Sequence, residues 1–505
     1  MYYGYIRHLF QFSDNYIWPA NAYIGTRITY FLPGHIIYLL SGDNYYKIFF
    51  NIGLCYTTII LCFYYVLRRY FPLRIAVSIS ALLATDLYFL RSIGWDYVDK
   101  AVLSYLMLTL ACLTAARTES RRHLMIVAAG FFAASMIFVH VASAIVFPLL
   151  FVYSGFVVQN AQSVRDWWRH LLQVVIYGTI GALLAQILFG TLLVLLRGGD
   201  FFFILKQIGI IQSQLFVWNA PLSALIQSGY WITVPLAALV GTLAGLLAKR
   251  FQVNSSRFEI FWLWAVLLLY GVIFAGEATG KLWLLSRDGM HSLILAPFSM
   301  IVFGILLFRC EFRGMVALTL AVFGVAFVLR LNIDGGAGLS RWLSFSMPAL
   351  GIFMGLLLAA SYIVSNARMT IVVMLLIGVI SAFNPGKFAD ARAVQAVQAA
   401  HGRIAELSNG KLPSIFYNRS DPQLHFIWSV LASFTDRALF TSRETFPVLR
   451  DGLTKEDIVV IMGSSGMSED NARAALLKHV RSVRLATTFQ MNEVSTYVFE
   501  VLEGQ

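Results

Sequence analysis

Residues 46–67 read YKIFFNIGLCYTTIILCFYYVL and run directly into Arg68-Arg69. Between Ile48 and Leu67 no side chain is charged. The hydrocarbon core of a bilayer is about 30 Å thick and takes about 20 apolar residues of helix. The run therefore predicts a transmembrane helix with a basic anchor at its far end. Working outward, runs of the same kind lie at 71–90, 98–116, 124–140, 141–158, 170–197, 229–248, 258–277, 291–308, 314–330, 346–365 and 368–384, which makes twelve predicted spans. Only His140 separates the fourth from the fifth, and the 170–197 run exceeds the bilayer, so it should tilt or project.

Composition agrees. Of 505 residues 59% are hydrophobic and 13% charged, against about 25% charged in soluble domains. This excludes a cytosolic enzyme, a disordered chain and a nucleic-acid binder. The net charge of +12 is not evenly spread: residues 386–505 hold 13 basic and 13 acidic side chains, so the whole excess lies in the apolar part. Alternate loops hold Arg68, Arg69 and Arg74; Arg117, Arg121 and Arg122; Arg165 and Arg169; Lys249, Arg250 and Arg257; Arg309 and Arg313; and Arg368. Basic short loops mark the cytoplasmic side. The opposite loops carry Asp14, Asp43, Asp96, Asp99, Asp200, Glu277, Asp288 and Asp334. The fold class is thus an α-helical polytopic membrane protein.

This threading places residues 1–45 outside as an aromatic, amphipathic segment suited to one or two interfacial helices. Residues 46–385 form the bundle. Residues 386–505 lie outside as a small α/β domain, with strands at Ser414–Asn418, Asp457–Met462, Leu485–Phe489 and Thr496–Leu502. The last two are predicted to form a hairpin through Met491–Asn492, and helices are expected over Pro422–Phe434 and from Ser468 to about Val483. The threading also demands one more span before Met1. The four cysteines show neither metal spacing nor a disulfide framework and read as small packed hydrophobes. Asn254-Ser-Ser and Asn418-Arg-Ser match a glycosylation pattern that is frequent by chance.

Charge close to a membrane is costly, so it marks where chemistry is sought. Arg91-Ser-Ile-Gly-Trp-Asp96-Tyr-Val-Asp99-Lys100 joins two spans on the outer side. Asp96 and Asp99, three apart, share a face if the next helix begins early. They are the candidate catalytic acids, able to take a proton from a hydroxyl or to hold a divalent metal. The plainer reading makes Asp99 a helix-start residue. Arg27, Lys281, Arg287, His291, Arg330 and Arg341 cluster outside against the basic-inside trend, and arginine forks fit phosphate oxygens. His140, at the outer turn of a tight helical pair, is a further candidate ligand contact. Each taken singly reads as an anchor or a satisfied structural side chain; as a set opposite the acids they read as a site.

The layout resembles the GT-C glycosyltransferases, specifically the relatives of protein O-mannosyltransferases and aminoarabinose transferases (glycosyltransferase family 39-like). Tyr2-Tyr-Gly-Tyr-Ile6 followed by Arg27-Ile-Thr-Tyr-Phe-Leu-Pro33 resembles that family's first outer loop, and Gly42-Asp43 leads into the next span as it does there. Arg68-Arg-Tyr-Phe71, Trp95-Asp-Tyr-Val-Asp99 and Arg341-Trp-Leu-Ser-Phe-Ser-Met-Pro348 resemble further family stretches. The resemblance implies a polyprenyl-phosphate sugar donor, an extracytoplasmic lipid, glycan or protein acceptor, and a bacterial inner membrane location. It implies a substrate-binding role for Arg27, His140, Lys281, Arg287, His291 and Arg341. The family's main catalytic acid comes after a first transmembrane helix, and both are expected upstream of Met1, so the chain reads as N-terminally short. The alternatives are a transporter or flippase of lipid-linked saccharides, or a non-catalytic membrane subunit. A transporter calls for inverted repeats around a midplane site; the sequence has no internal repeat, and its charges lie toward one face.

Overall fold

The computed structural model describes residues 27–41, 48–85, 98–117, 121–158, 163–205 without 198, 256–278, 295–309, 414–417, 453–463, 467–491 and 494–504, with isolated positions such as Ile6, Leu9, Phe89 and Ile93. The predicted spans at 229–248, 314–330, 346–365 and 368–384, and the helix expected over Pro422–Phe434, lie outside the described residues.

The described helices are α1 (Ile28–Ser41), α2 (Ile48–Arg68), α3 (Leu73–Thr85), α4 (Asp99–Ala115), α5 (Arg122–Val139), α6 (Phe147–Val152), α7 (Val164–Arg197), α8 (Arg257–Ala278) and α9 (Leu295–Arg309). Among the described residues three stretches, Phe50–Arg68, Arg122–Val139 and Val164–Leu195, are long and apolar enough to cross a membrane. The 46–67 run is α2. It stops because Pro72 has no N–H to continue the ladder. The Phe71 amide still reaches the Leu67 carbonyl (2.8 Å), and the Pro72 carbonyl already accepts from Ile75 and Ala76 (3.1 Å each), so α3 starts at once.

Helix α2 packs on α4, α4 on α5 and α5 on α7, while α3 lies against α2 and α9, and α9 against α8. One apolar core runs through this bundle, from Ile59 and Phe63 of α2 through Leu103, Leu106 and Leu110 of α4 to Trp262 and Val266 of α8. The α5–α7 crossing depends on glycine. A Cβ on Gly130 would fall on the Gly178 carbonyl, and one on Gly181 would fall on the Val127 carbonyl. Small residues allow such close backbone approach in lipid, where dispersion contacts drive helix association.

His140 separates α5 from the next apolar run, as its place between the two suggests. Its backbone is extended (φ −155°, ψ 111°). The 141–158 run is not one straight span: a 3₁₀ turn (Val141–Val146), α6 and a π-helical segment (Tyr153–Val158) succeed each other. Helix α7 begins at Val164, six residues before the predicted start. Ser163 is the reason: it is the N-cap, its Oγ accepting from the Asp166 amide (3.1 Å) and donating to the Asp166 carboxylate (2.6 Å). The 34-residue helix is about 51 Å long at 1.5 Å per residue, longer than a bilayer core. Helix α8 starts on a capping box: the Ser256 amide donates to Glu259 (2.7 Å) and the Glu259 amide to Ser256 Oγ (3.3 Å). The final serine of the Asn254-Ser-Ser pattern is therefore a helix cap.

The tail forms a four-stranded sheet in the order β1-β2-β4-β3, with β1 (Ser414–Tyr417), β2 (Ile458–Gly463), β3 (Ser482–Met491) and β4 (Val494–Glu503). β1 and β2 are parallel, and the other pairs are antiparallel. The hairpin forms at the predicted place, with Met491 paired to Val494. Ser468 caps α10 (Glu469–Leu476), which ends seven residues short of the predicted Val483. Ala472 and Leu476, one turn apart, pack on Val459, Ile461, Phe499 and Val501. The chain then turns at His479, whose amide bonds the Leu476 carbonyl (2.9 Å), and enters β3.

Candidate functional site

The site is built around the first turn of α1. Pro33 lies inside this helix and has no N–H to give the carbonyl four residues earlier, that of Thr29. Tyr105 of α4 supplies the missing bond: its hydroxyl donates to the Thr29 carbonyl at 2.8 Å. The Thr29 hydroxyl in turn donates to the Ser135 carbonyl of α5 at 3.2 Å. A proline-made vacancy is thus filled from a neighbouring helix, and the start of α1 is tied to two helices at once.

Those ties decide which predicted residues come together. Tyr105 lies six residues into α4 and Ser135 four residues from the end of α5. The start of α1, the start of α4 and the end of α5 therefore share one end of the bundle. Arg27 caps α1 there, its carbonyl accepting from Tyr30 and Phe31 (3.0 and 3.2 Å). Asp99 is the first residue of α4, where a carboxylate complements the helix dipole. His140 closes α5, and its carbonyl accepts from the Ser143 amide (3.0 Å) and hydroxyl (2.7 Å).

Lys100 joins this group although its sequence position did not single it out. Its side chain is wholly buried, as is that of Arg27 (0% and 1% exposed). Its ammonium lies 5.5 Å from the centre of the Tyr30 ring, itself buried, within cation–π range. One turn on, Ser104 Oγ approaches the Lys100 carbonyl (2.8 Å) and the Cys55 carbonyl of α2 (3.2 Å), which fixes the first turn of α4 against α2. Two cations are thus removed from water at the starts of two helices, with the Asp99 carboxylate next to Lys100 in the chain. Charges in such surroundings persist only when answered by anions or good hydrogen bonds. A lysine beside a predicted span end reads in sequence as a snorkelling anchor, and only the fold reveals its burial.

The opposite end of α4 gathers basic connections. Arg117 lies over the Tyr70 ring at 5.8 Å, and Tyr70 stacks on Phe258 at 4.0 Å. Burial pushes the Tyr70 hydroxyl above its ordinary value, and the Tyr153 hydroxyl lies 3.5 Å from it. Arg257 sits 5.5 Å from the Phe156 ring. Arg122 donates to His170 Nδ1 and to Gln173 Oε1. A guanidinium only donates, so Nδ1 accepts and the neutral ring carries its proton on Nε2, which donates to Ser154 Oγ at 3.0 Å. The loops with Arg68 and Arg69, Arg117 to Arg122, and Arg257 thus meet at one end, and Arg27, Asp99 and Lys100 lie at the other.

Of the predicted site residues, Arg27, Asp99 and His140 are brought to the same end. Asp96, Lys281, Arg287, His291 and Arg341 lie outside the described residues. The helix begins at Asp99, and the expected shared face with Asp96 falls outside the described residues. Among the described residues no group of three or more His, Cys, Asp or Glu side chains could hold a metal ion. Cys55, Cys62 and Cys112 are free thiols within the bundle.

A helical membrane bundle with a buried cationic cluster at one end and arginine-dense connections at the other defines a class of architecture, that of integral membrane proteins whose bundle ends differ in charge. Solved structures that share this fold include those of ArnT from Cupriavidus metallidurans. The apo form matches with a TM-score of 0.57 at 15% identity, and the form bound to undecaprenyl phosphate with 0.59 at 16%. Each match covers 98% of this chain and 92% of the other. No protein-family model and no curated protein matches the sequence. At this identity the likeness establishes the fold.

Proposed function

We propose that this chain is an integral-membrane glycosyltransferase that moves a sugar from a polyprenyl-phosphate donor to an acceptor hydroxyl on the extracytoplasmic face, in a bacterial inner membrane. One observation carries the reading: buried Arg27 and Lys100 lie together at the bundle end away from the arginine-rich connections, in a fold shared with a protein crystallised with undecaprenyl phosphate. In this reading the acceptor oxygen bonds to the anomeric carbon as the bond from that carbon to the phosphate oxygen breaks. The electron pair passes to the phosphate, and the acceptor proton passes to a carboxylate, Asp99 or Asp96. Arg27, with Lys281, Arg287, His291 and Arg341, holds the phosphate, and His140 contacts the sugar or acceptor. Residues 386–505 cover the site from outside.

The test is reconstitution of the full chain in liposomes with undecaprenyl-phosphate-linked sugars and an outer-envelope lipid or glycan extract as acceptor. Release of undecaprenyl phosphate, dependent on acceptor and abolished by Arg27→Met, supports the proposal. Release no greater than from empty liposomes across a panel of donors refutes it.

A further inference from the structure

We infer that a niche between the starts of α5 and α7 binds the phosphate of an acidic phospholipid, drawn from the leaflet at the arginine-rich end of the bundle. The inference stands apart from sugar transfer and begins with how Arg122 is held. Its Nη2 donates inward, to His170 Nδ1 and to Gln173 Oε1 (3.0 Å). Its Nε–H is enclosed and has no acceptor among the described residues. Nη1 is neither hydrogen-bonded nor enclosed, so this edge of the fork opens outward. Among the described residues no carboxylate pairs with the guanidinium, and both of its acceptors are neutral. A snorkelling arginine carries its head out into water. Arg122 turns its head inward, and a cation partly withdrawn from water is stable when an anion answers it.

The surroundings select an anion with net charge. Residues 117–123 and 159–173 hold Arg117, Arg121, Arg122, Arg165 and Arg169 against Glu119 and Asp166. Asp166 is engaged by Ser163, whose hydroxyl donates to its carboxylate (2.6 Å); Glu119 lies outside the described residues. The π-helical segment walls the niche. His170 Nε2 donates to Ser154 Oγ (3.0 Å), and Trp167 packs so closely on Gly155 that a Cβ there would strike the indole nitrogen. This wall fixes His170, and His170 fixes the guanidinium, so the open edge is aimed before a ligand arrives. Depth points to a lipid. Helix α7 is longer than the bilayer core, so its first turns can stand at head-group level. Trp168 is exposed there, an aromatic suited to the interface. Leu172, Val175 and Ile176 continue from it as an exposed apolar stripe that acyl chains can follow. Basic pockets between transmembrane helices take acidic head groups in this way.

The experiment is native mass spectrometry of the full chain in detergent. It is titrated with phosphatidylglycerol and with phosphatidylcholine of the same acyl chains, whose choline answers its own phosphate. The first lipid bound by the wild type is expected to be phosphatidylglycerol, with about tenfold preference, the scale of one charge-assisted hydrogen bond. Arg122→Gln should abolish that preference. Arg68→Gln, which removes an exposed arginine of the same end that donates to the Phe71 carbonyl (3.4 Å), should leave it. Gln173→Met keeps the charge but loosens the fork; it should lower the preference about threefold, the scale of one ordinary hydrogen bond, and gives the answer if Arg122→Gln does not fold. Glycerol 3-phosphate should not displace the lipid. No preference in the wild type, an unchanged preference in Arg122→Gln, or in Gln173→Met in its stead, or an equal loss in Arg68→Gln overturns the inference. Displacement by glycerol 3-phosphate overturns it too, by making the niche a site for free phosphate esters.

Discussion

Removing the Tyr105 hydroxyl should matter only because Pro33 is where it is. The Thr29 carbonyl loses its helical partner to Pro33 and regains one from Tyr105 at 2.8 Å. Tyr105→Phe leaves that carbonyl without the bond inside an apolar bundle, at a cost of about 1–3 kcal/mol for an unsatisfied buried acceptor. Pro33→Ala restores an N–H four residues on, so in that background the same substitution should cost about 1 kcal/mol or less, the difference being the coupling energy. Equilibrium unfolding of the wild type, both single variants and the double variant in mixed micelles measures all four corners. Since α1 carries Arg27 at its cap, Tyr105→Phe should also weaken undecaprenyl phosphate binding, and Pro33→Ala should partly rescue it. Equal costs of Tyr105→Phe in the two backgrounds, within about 0.5 kcal/mol, would show that the hydroxyl does not serve the proline vacancy.

Two other perturbations are as specific. Gly181→Val places a side chain on the Val127 carbonyl and should separate α5 from α7, lowering the yield of folded protein, whereas Gly53→Ala, which meets nothing within 4 Å, should be tolerated; similar yields for the two would argue against the glycine crossing. Of Asp96→Asn and Asp99→Asn, the one that removes the carboxylate accepting the acceptor proton should slow sugar transfer by about 10²–10⁴, while a mere helix-start role at Asp99 would cost only about 0.3–1 kcal/mol of stability and leave kcat intact.

Much of the fold is legible in the sequence. The span 48–67 is visible because no charge interrupts it, and Pro72 ends it by simple covalent geometry. The hairpin after Met491 is marked by alternating apolar residues on both sides of a two-residue turn. The early start of α7 is legible too, in Ser163-Val-Arg-Asp166, where the capping spacing outweighs the polar character of the first turn. The broken course of 141–158 is not, because an apolar run has the same composition whether it coils as 3₁₀, α or π helix. Nor is the tie between Tyr105 and Thr29, since no local pattern links residues 76 positions apart. Lys100 escapes for the same reason: charge at the edge of a span is ordinary until neighbouring helices close over it. The resemblance to family 39-like enzymes anticipates the ArnT fold from a few short motifs, one of which contains Arg27.

Everything proposed for the site requires the cationic cluster and the trailing sheet to face away from the cytoplasm while the Arg117–Arg122 connection faces it. Reporters placed after Gln505 and within that connection, read by alkaline phosphatase activity and by green fluorescence in a bacterial host, measure this directly. The predicted result is phosphatase activity after Gln505 and fluorescence at the basic connection. Fluorescence after Gln505 with phosphatase activity at the connection would contradict it.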